Sequence, residues 1–128
     1  MKQEDTADFF ISGYDPPAVD YKGDNLEAWP FWKDINGVLR PVSKYYYMDW
    51  IGSLRLSAYV KGVATYVCSC SGMDEAVRDM ISSSRGQYIN SVVKTSFMET
   101  TEANIPRHPR FEGFHESKQA HECVWELN

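Results

Sequence analysis

The stretch LRLSAYVKGVATYVCSC, residues 54–70, decides the fold, because apolar and polar side chains alternate along it on both sides of Lys61-Gly62. Alternation with a period of two is typical of a strand with one buried face, and a two-residue loop containing glycine is typical of a hairpin turn. Such a loop fixes the register. The predicted pairs are Val60 with Val63, Ala58 with Thr65 and Leu56 with Val67. One face of this hairpin is expected to pack on a core, and Arg55, Ser57, Tyr59 and Tyr66 should lie on the other.

A second hairpin is indicated by Asn36-Gly37, since these residues tolerate the positive φ angles of a type I′ turn. Its arms would be residues 31–35 and 38–42, and Pro41 restricts the second arm to an edge. Composition or alternation predicts further strands. They cover residues 8–13, 45–51, 88–97 and 123–127.

The clearest helix signal covers residues 73–85, with Ser71 as the N-terminal cap and Gly86 at the C-terminal end. Its apolar residues recur at helical spacing, whereas Arg78 falls on the opposite, polar side. The predicted buried stripe is Met73, Val77, Met80, Ile81 and Ser84.

These elements predict an α+β fold, a curved antiparallel sheet of about five to six short strands with one main helix on one face. The alternative is a small, partly open β-barrel. We expect a single domain over residues 1–128, with residues 1–7 frayed and residues 100–120 forming a long loop.

Composition limits the function. The chain has 128 residues, a net charge of −5 and a pI of about 5.1. The first 35 residues hold eight acids and three lysines, so the whole net charge lies in the first quarter. An acidic chain argues against duplex nucleic acid as a partner, because affinity for phosphates comes largely from Lys and Arg.

Other bulk features concern the cellular compartment. No apolar run reaches the roughly 18 to 20 residues of a membrane span, and acids precede any apolar stretch at the N-terminus, unlike a secretory signal. The three cysteines are an odd number, which suits a reducing compartment. We expect a cytoplasmic protein without membrane contact.

The cysteines and histidines carry no strong metal or nucleophile signal. Cys68 and Cys70 stand two apart on a predicted strand, unlike the turn-borne pairs of zinc sites. His121 and Cys123 would project to the same face of a strand, but no signature of an activated nucleophile is present. We therefore expect no metal, no cofactor and no catalytic residue.

Aromatic residues are the strongest signal, because two segments, residues 29–32 and 45–50, hold seven aromatics and not all can face one core. Exposed aromatics beside acids are typical of a protein-binding surface. The predicted partner-binding residues are Asp20, Asp24, Trp29, Trp32, Asp34, Tyr46, Asp49 and Trp50. A weaker anion-contact site is predicted at Arg107, His108 and Arg110.

The function predicted from these features is a small acidic inhibitor of the toxin-immunity or phage anti-defence type, which binds a basic protein such as a nuclease. Two alternatives stay open. One is a small enzyme with acid–base groups in an aromatic-lined pocket, drawn from Asp49, His108, His115 and His121. The other is a structural subunit of a larger assembly.

Overall fold

Strand β1 (Asp5–Asp15) is the axis of the fold in the computed structural model, which describes residues 5–128. The further strands are β2 (Trp32–Ile35), β3 (Val38–Pro41), β4 (Ser53–Val60), β5 (Val63–Cys70), β6 (Val92–Phe97) and β7 (Arg110–Phe114). The helices are α1 (Lys44–Tyr47), α2 (Glu75–Ser83) and α3 (Arg85–Tyr88), with a 3-10 turn at Ala120–Glu122.

Five strands form one antiparallel sheet in the order β5-β4-β1-β6-β7, and β2 and β3 form a separate hairpin. The pairing of β1 with β4 is interrupted by a bulge between Ile11 and Gly13. A bulge bends its strand and increases the local twist, which suits a curved sheet. Edge strands β5 and β7 approach each other through an isolated parallel bridge, Ser71 with Arg110, and the sheet does not close into a barrel. The observed architecture is a small α+β fold.

The core lies inside this curved sheet and is built from side chains of β1, β4, β5, β6 and helix α2. Phe9 and Ile11 of β1 and Leu54 and Leu56 of β4 are completely buried. Ile81 of α2 is also completely buried. Burying a large apolar side chain contributes roughly 1.5–3 kcal/mol, so these residues dominate the stability of the sheet.

The hairpin of residues 54–70 is confirmed near its turn, where Val60 pairs with Val63 and Ala58 with Thr65. Beyond these pairs the register shifts by one residue, and Leu56 faces Cys68 instead of Val67. The shift is a bulge, which strict alternation does not reveal. Both Val67 and Cys68 are consequently buried. The Asn36-Gly37 hairpin is also confirmed, as β2 and β3.

The prediction of a strand over residues 45–51 is wrong, because the segment begins as helix α1. Ser43 caps this helix by accepting a hydrogen bond from the Tyr46 amide. At its end the Trp50 amide donates to the Tyr45 carbonyl, and Asp49 adopts a φ of 59°. This closure is a Schellman motif, in which the residue after the cap is left-handed. Capping has overridden the strand propensity of the aromatics.

Helix α2 is shorter than the predicted 73–85 and begins after Asp74, whose carboxylate accepts from the Val77 amide. Its buried face also differs, because Arg78 is 4% exposed whereas Met80 is 43% exposed. The Arg78 guanidinium donates to the carbonyls of Ile51 and Gly52. The buried side of the helix therefore carries Arg78, whereas the predicted apolar stripe places Met80 there.

Four smaller predictions are corrected. The predicted loop of residues 100–120 contains strand β7, and the strand predicted over residues 88–97 starts at Val92. Residues 123–127 contribute one isolated parallel bridge, between Val124 and Tyr59, instead of a strand. Residues 5–7 belong to β1 and pair with β6, so fraying is wrong for them. Residues 1–4 lie outside the described part of the chain.

None of the helices in residues 5–128 has the length and apolar composition that a membrane crossing requires.

The burial of Arg78 can be tested against Met80. Arg78→Ala removes two hydrogen bonds from a charged donor to buried carbonyls, so the free energy of unfolding should fall by about 2–3 kcal/mol. Met80→Ala should change it by about 0.5 kcal/mol or less, because exposed positions tolerate substitution. Urea unfolding followed by circular dichroism measures both. The reverse order would mean that the helix presents its apolar stripe to the core.

Candidate functional site

A polar cluster covers the outward side of β1, β4 and β5, opposite the core. We call it the Arg55 face. Its members are Asp15, Ser53, Arg55, Tyr66 and Ser69. The strand register creates it, since Arg55 stands between Gly13 of β1 and Ser69 of β5 in adjacent strands. Side chains on one face of neighbouring strands lie within contact distance.

Arg55 is the centre of this face. Its Nη1 lies 3.1 Å from Oδ1 of Asp15, and its guanidinium carbon stands 4.2 Å from the centre of the Tyr66 ring. The Tyr66 hydroxyl is 2.9 Å from Ser69 Oγ. The Arg55 side chain is 43% exposed and Tyr66 is 44% exposed, so a planar cation stacked on an aromatic ring is open to solvent.

Asp15 holds the face together, because its Oδ2 accepts hydrogen bonds of 2.8 Å from both Ser53 and Ser69 while its Oδ1 binds Arg55. Burial raises the pKa of Asp15, but the hydrogen bonds from Ser69, Ser53 and Arg55 lower it by more. The resulting pKa lies below the ordinary carboxyl value. Asp15 is therefore ionised throughout the neutral range.

The second feature is an open cleft of about 400 Å³ at the end of β1. We call it the Tyr46 cleft. Its walls include Tyr14, Asp15, Tyr46, Asp49, Trp50 and Arg85. The Tyr14 hydroxyl donates to the Arg85 carbonyl, and burial raises the pKa of Tyr14, so this ring stays neutral. Because Asp15 belongs to both features, the cleft adjoins the Arg55 face.

The structure brings three of the predicted partner-binding residues, Tyr46, Asp49 and Trp50, together in the Tyr46 cleft. Trp50 is only 7% exposed and donates its indole N–H to Asp79. The Asp49 carboxylate is 90% exposed. The aromatic segment is thus partly core and partly surface.

The other predicted partner-binding residues surround the β2–β3 hairpin. Trp29 stacks on Tyr21 with ring centres 3.9 Å apart, and the Trp32 indole donates to the Trp29 carbonyl. Asp20 pairs with Arg40 at 3.1 Å. Asp34 accepts from the Gly37 amide of the turn, and Asp24 is exposed. Apart from Asp24, these residues support the hairpin.

The predicted anion-contact loop lies between β6 and β7. Arg107 is 3.7 Å from Glu99, and His108 has a φ of 49°. Arg110 is bridged to Ser71, just past the end of β5. Within residues 5–128, Arg110 has no carboxylate within 4 Å. Because Ser71 follows Ser69 by two residues, Arg110 extends the Arg55 face with an unpaired cation.

Histidines and cysteines do not converge. Asp49 lines the Tyr46 cleft, whereas His115 lines a separate cleft with Tyr88 and Lys118. His121 is exposed, but Cys123 is completely buried and its thiol points to the Gln119 carbonyl. The predicted shared strand face for these two residues is wrong, because the segment is a 3-10 turn. Among residues 5–128, no three His, Cys, Asp or Glu side chains form a candidate metal site.

The members of the Arg55 face were missed as a site, although Arg55 and Tyr66 were correctly placed on the polar side of the 54–70 hairpin. An exposed arginine and tyrosine at alternating positions of a strand carried the signal. What the hairpin alone could not reveal is Asp15, which comes from β1 and is 40 residues away from Arg55.

No protein-family model matches the chain, and no curated protein matches its sequence. Solved structures do match its fold. A crystal structure of Chlorella virus DNA ligase-adenylate aligns with 93% of this chain at a TM-score of 0.55 and 22% identity. A structure named Pmar-Lig_Pre aligns with 90% at a TM-score of 0.51 and 14% identity. The alignments cover 33% and 22% of those two chains, so this chain is similar to a part of each.

These comparisons correct the functional prediction. The expectation of a protein inhibitor of the toxin-immunity or anti-defence type is wrong, because the fold is similar to that of a DNA ligase. The same finding overturns the expectation of a basic protein partner and the argument that duplex nucleic acid is an unlikely partner. That argument rested on net charge, which does not describe the local distribution of cations.

The pKa of Asp15 predicts a pH-dependent stability. A carboxyl group whose pKa is lower in the folded state stabilises the fold above its unfolded pKa of about 3.9, and this contribution is lost as the pH falls through the folded pKa. Asp15→Asn should therefore lower the free energy of unfolding by about 0.5–1 kcal/mol at neutral pH. Urea titrations from pH 7 downward should show the difference shrinking toward pH 3. A difference that is constant with pH would mean that the charge of Asp15 does not stabilise the fold.

Thiol accessibility gives a second check. Burial raises the pKa of Cys68 and Cys70 to about 12, and Cys123 is completely buried with its pKa raised to about 11. Since the thiolate is the reactive form, native protein should react with Ellman's reagent at least about 100-fold more slowly than protein in urea. Rapid modification of one thiol in the native state would contradict the burial of that residue.

Proposed function

We propose that this chain is a nucleic-acid-binding domain of the kind that DNA ligases contain, and that it contacts nucleic acid through the Arg55 face. The observation that carries the proposal is the exposed stack of Arg55 on Tyr66, at the centre of a sheet whose fold is similar to that of a DNA ligase. The proposal concerns binding and not ligation, because the chain spans about a third of the Chlorella virus enzyme.

The sheet topology supports an OB-type fold. The five strands of the main sheet are, in chain order, β1, β4, β5, β6 and β7, with α2 between the third and the fourth. An OB-fold is a five-stranded, partly open barrel that binds oligonucleotides on the face of its second and third strands. In this chain those strands are β4 and β5, which carry Arg55, Tyr66 and Ser69. The expected contact surface and the Arg55 face therefore coincide.

The chemistry of the face suits a nucleic-acid strand. An aromatic ring offers a stacking surface for a base, and a guanidinium offers several donors to a phosphate. Serine hydroxyls are further donors to phosphate oxygens. Arg110, at the start of β7 where the loop from β6 ends, adds a cation at the end of β5. In an OB-fold the loop between the fourth and fifth strands also contacts the ligand.

The acidic composition does not oppose this proposal, because many acids are paired within the protein. Asp20 pairs with Arg40, Glu75 with Lys44, and Asp8 with Lys118. Binding to phosphates depends on the cations that meet the strand and on the salt concentration, rather than on net charge. The negative charge of Asp15 still repels a phosphate at Arg55. Removing that charge should therefore strengthen binding, whereas removing Arg55 should weaken it.

Binding of a fluorescein-labelled 16-nucleotide single-stranded DNA, followed by anisotropy, tests the proposal. Arg55→Ala should weaken binding about tenfold and reduce the salt slope by about 1, and Tyr66→Ala should weaken it by a similar factor. Asp15→Asn should strengthen binding several-fold, because it removes the negative charge beside Arg55.

Arg40→Ala is the matched control, since Arg40 is another exposed arginine paired with an aspartate at 3.1 Å, but on the separate hairpin. It should change the affinity less than twofold. Equal losses for Arg55→Ala and Arg40→Ala would mean that binding is diffuse and that the Arg55 face is not the site. Failure of the unsubstituted protein to bind DNA at low salt would refute the proposed function.

A further inference from the structure

The Tyr46 cleft stands beside the Arg55 face and has no role in the contacts described so far. Asp15 belongs to both features. Its carboxylate binds Arg55, and its backbone carbonyl accepts a hydrogen bond from the Gly52 amide. A strand that crosses the Arg55 face toward the end of β1 therefore reaches the cleft next. Its volume of about 400 Å³ is within the range of small-ligand sites.

The walls of the cleft are flat and largely apolar. Tyr14 and Tyr46 present their rings, and Pro16 and Pro17 form the adjoining surface. The Tyr14 hydroxyl is already bonded to the Arg85 carbonyl at 2.6 Å, so this residue offers the cleft a neutral ring. Rings and prolines of this kind favour a planar, weakly polar occupant over a phosphate or a flexible chain.

The rim of the cleft supplies both a donor and an acceptor. Arg85 gives one N–H to the Asp49 carbonyl at 2.8 Å, and another of its nitrogens lies 3.9 Å from the Asp49 carboxylate, beyond hydrogen-bond distance. A guanidinium has five N–H donors, so several stay available. Since the Asp49 carboxylate is 90% exposed, its oxygens are available as acceptors. Donors and acceptors side by side match the pairing edge of a nucleobase.

A cation stands next to the aromatic wall. Lys33 Nζ lies 5.1 Å from the centre of the Tyr46 ring, and within residues 5–128 it has no carboxylate within 4 Å. Lys33 is not among the residues that line the cleft, so its ammonium group is a cation near the site and not part of its walls. The aromatic wall and the polar rim, with this cation nearby, are the elements of a site for one nucleotide.

We propose that the Tyr46 cleft holds one unstacked base of a single strand, with the base against Tyr46 and its pairing edge toward Arg85 and Asp49. This inference rests on the proposed function and deepens it, because it makes the domain selective for single-stranded over fully paired nucleic acid. A base inside a continuous duplex is stacked on both sides and cannot enter the cleft without unpairing.

Tyr46→Ala and Tyr47→Ala form a matched pair, since both residues lie in helix α1 and only Tyr46 lines the cleft. Anisotropy with a labelled 16-nucleotide single strand and with the same strand in a blunt duplex measures selectivity. Tyr46→Ala should weaken single-strand binding about tenfold and leave duplex binding unchanged, whereas Tyr47→Ala should leave both within twofold. Equal effects of Tyr46→Ala on the two DNAs, or none on the single strand, would overturn the inference while the proposed function stands.

A second measurement uses the unsubstituted chain and so does not depend on the folding of a variant. Amide chemical shifts are recorded during titration with thymidine 5′-monophosphate and, as a control, with deoxyribose 5-phosphate. The nucleotide should shift the amides of Tyr46, Asp49 and Arg85, and the sugar phosphate should not. Equal shifts with both probes, or none with the nucleotide, would mean that the cleft does not recognise a base.

Discussion

Hydrogen bonding along both edges of β1 is the constraint on which the rest of the molecule depends. The first half of this strand pairs with β6 and the second half pairs with β4, and the two ladders overlap at Phe10, just before the bulge. The bulge between Ile11 and Gly13 bends the strand, and the curved sheet has an inner side for the core and an outer side for polar residues. Phe9 and Ile11 belong to the first, and Asp15 belongs to the second.

The long connection between β1 and β4 is held by a different interaction, the burial of Arg78. Its guanidinium binds the carbonyls at the end of this connection and lies 4.1 Å from the centre of the Tyr45 ring. Trp50 and Asp79 make a second link to the same helix. A buried cation is costly unless it is compensated, and here Nη1 donates to two backbone carbonyls and the Tyr45 ring faces the guanidinium, whereas Nε has no hydrogen-bond partner within residues 5–128. This link ties the segment that carries Tyr46 and Asp49 to helix α2, so the wall of the cleft is anchored to the fold.

Local sequence predicted the two hairpins, because the turn preferences of Asn36-Gly37 and Lys61-Gly62 depend on only two neighbouring residues each. It failed where a tertiary contact competed with a local preference. The aromatics of residues 45–51 favour a strand, but the Ser43 cap and the later contact of Trp50 with α2 select a helix. Arg78 was assigned to solvent because its carbonyl partners lie 26 and 27 residues away. The candidate site was likewise predictable only in part. The alternation of the hairpin places Arg55 and Tyr66 on one face, whereas the position of Asp15 depends on the pairing register of β1 with β4.

Net charge led to a wrong functional prediction because it adds together charged side chains that do not contact the same ligand. Interactions between exposed charges are screened within about 8–10 Å at physiological salt, so a strand on the Arg55 face responds to the charges near it. Asp20 is paired with Arg40, and Asp34 caps the turn at Gly37. On the face itself, the Asp15 carboxylate beside Arg55 also orients the guanidinium against Tyr66. Under the proposed function, Asp15 lowers the affinity of Arg55 for a phosphate and fixes the orientation of its guanidinium, so affinity is exchanged for a defined contact geometry.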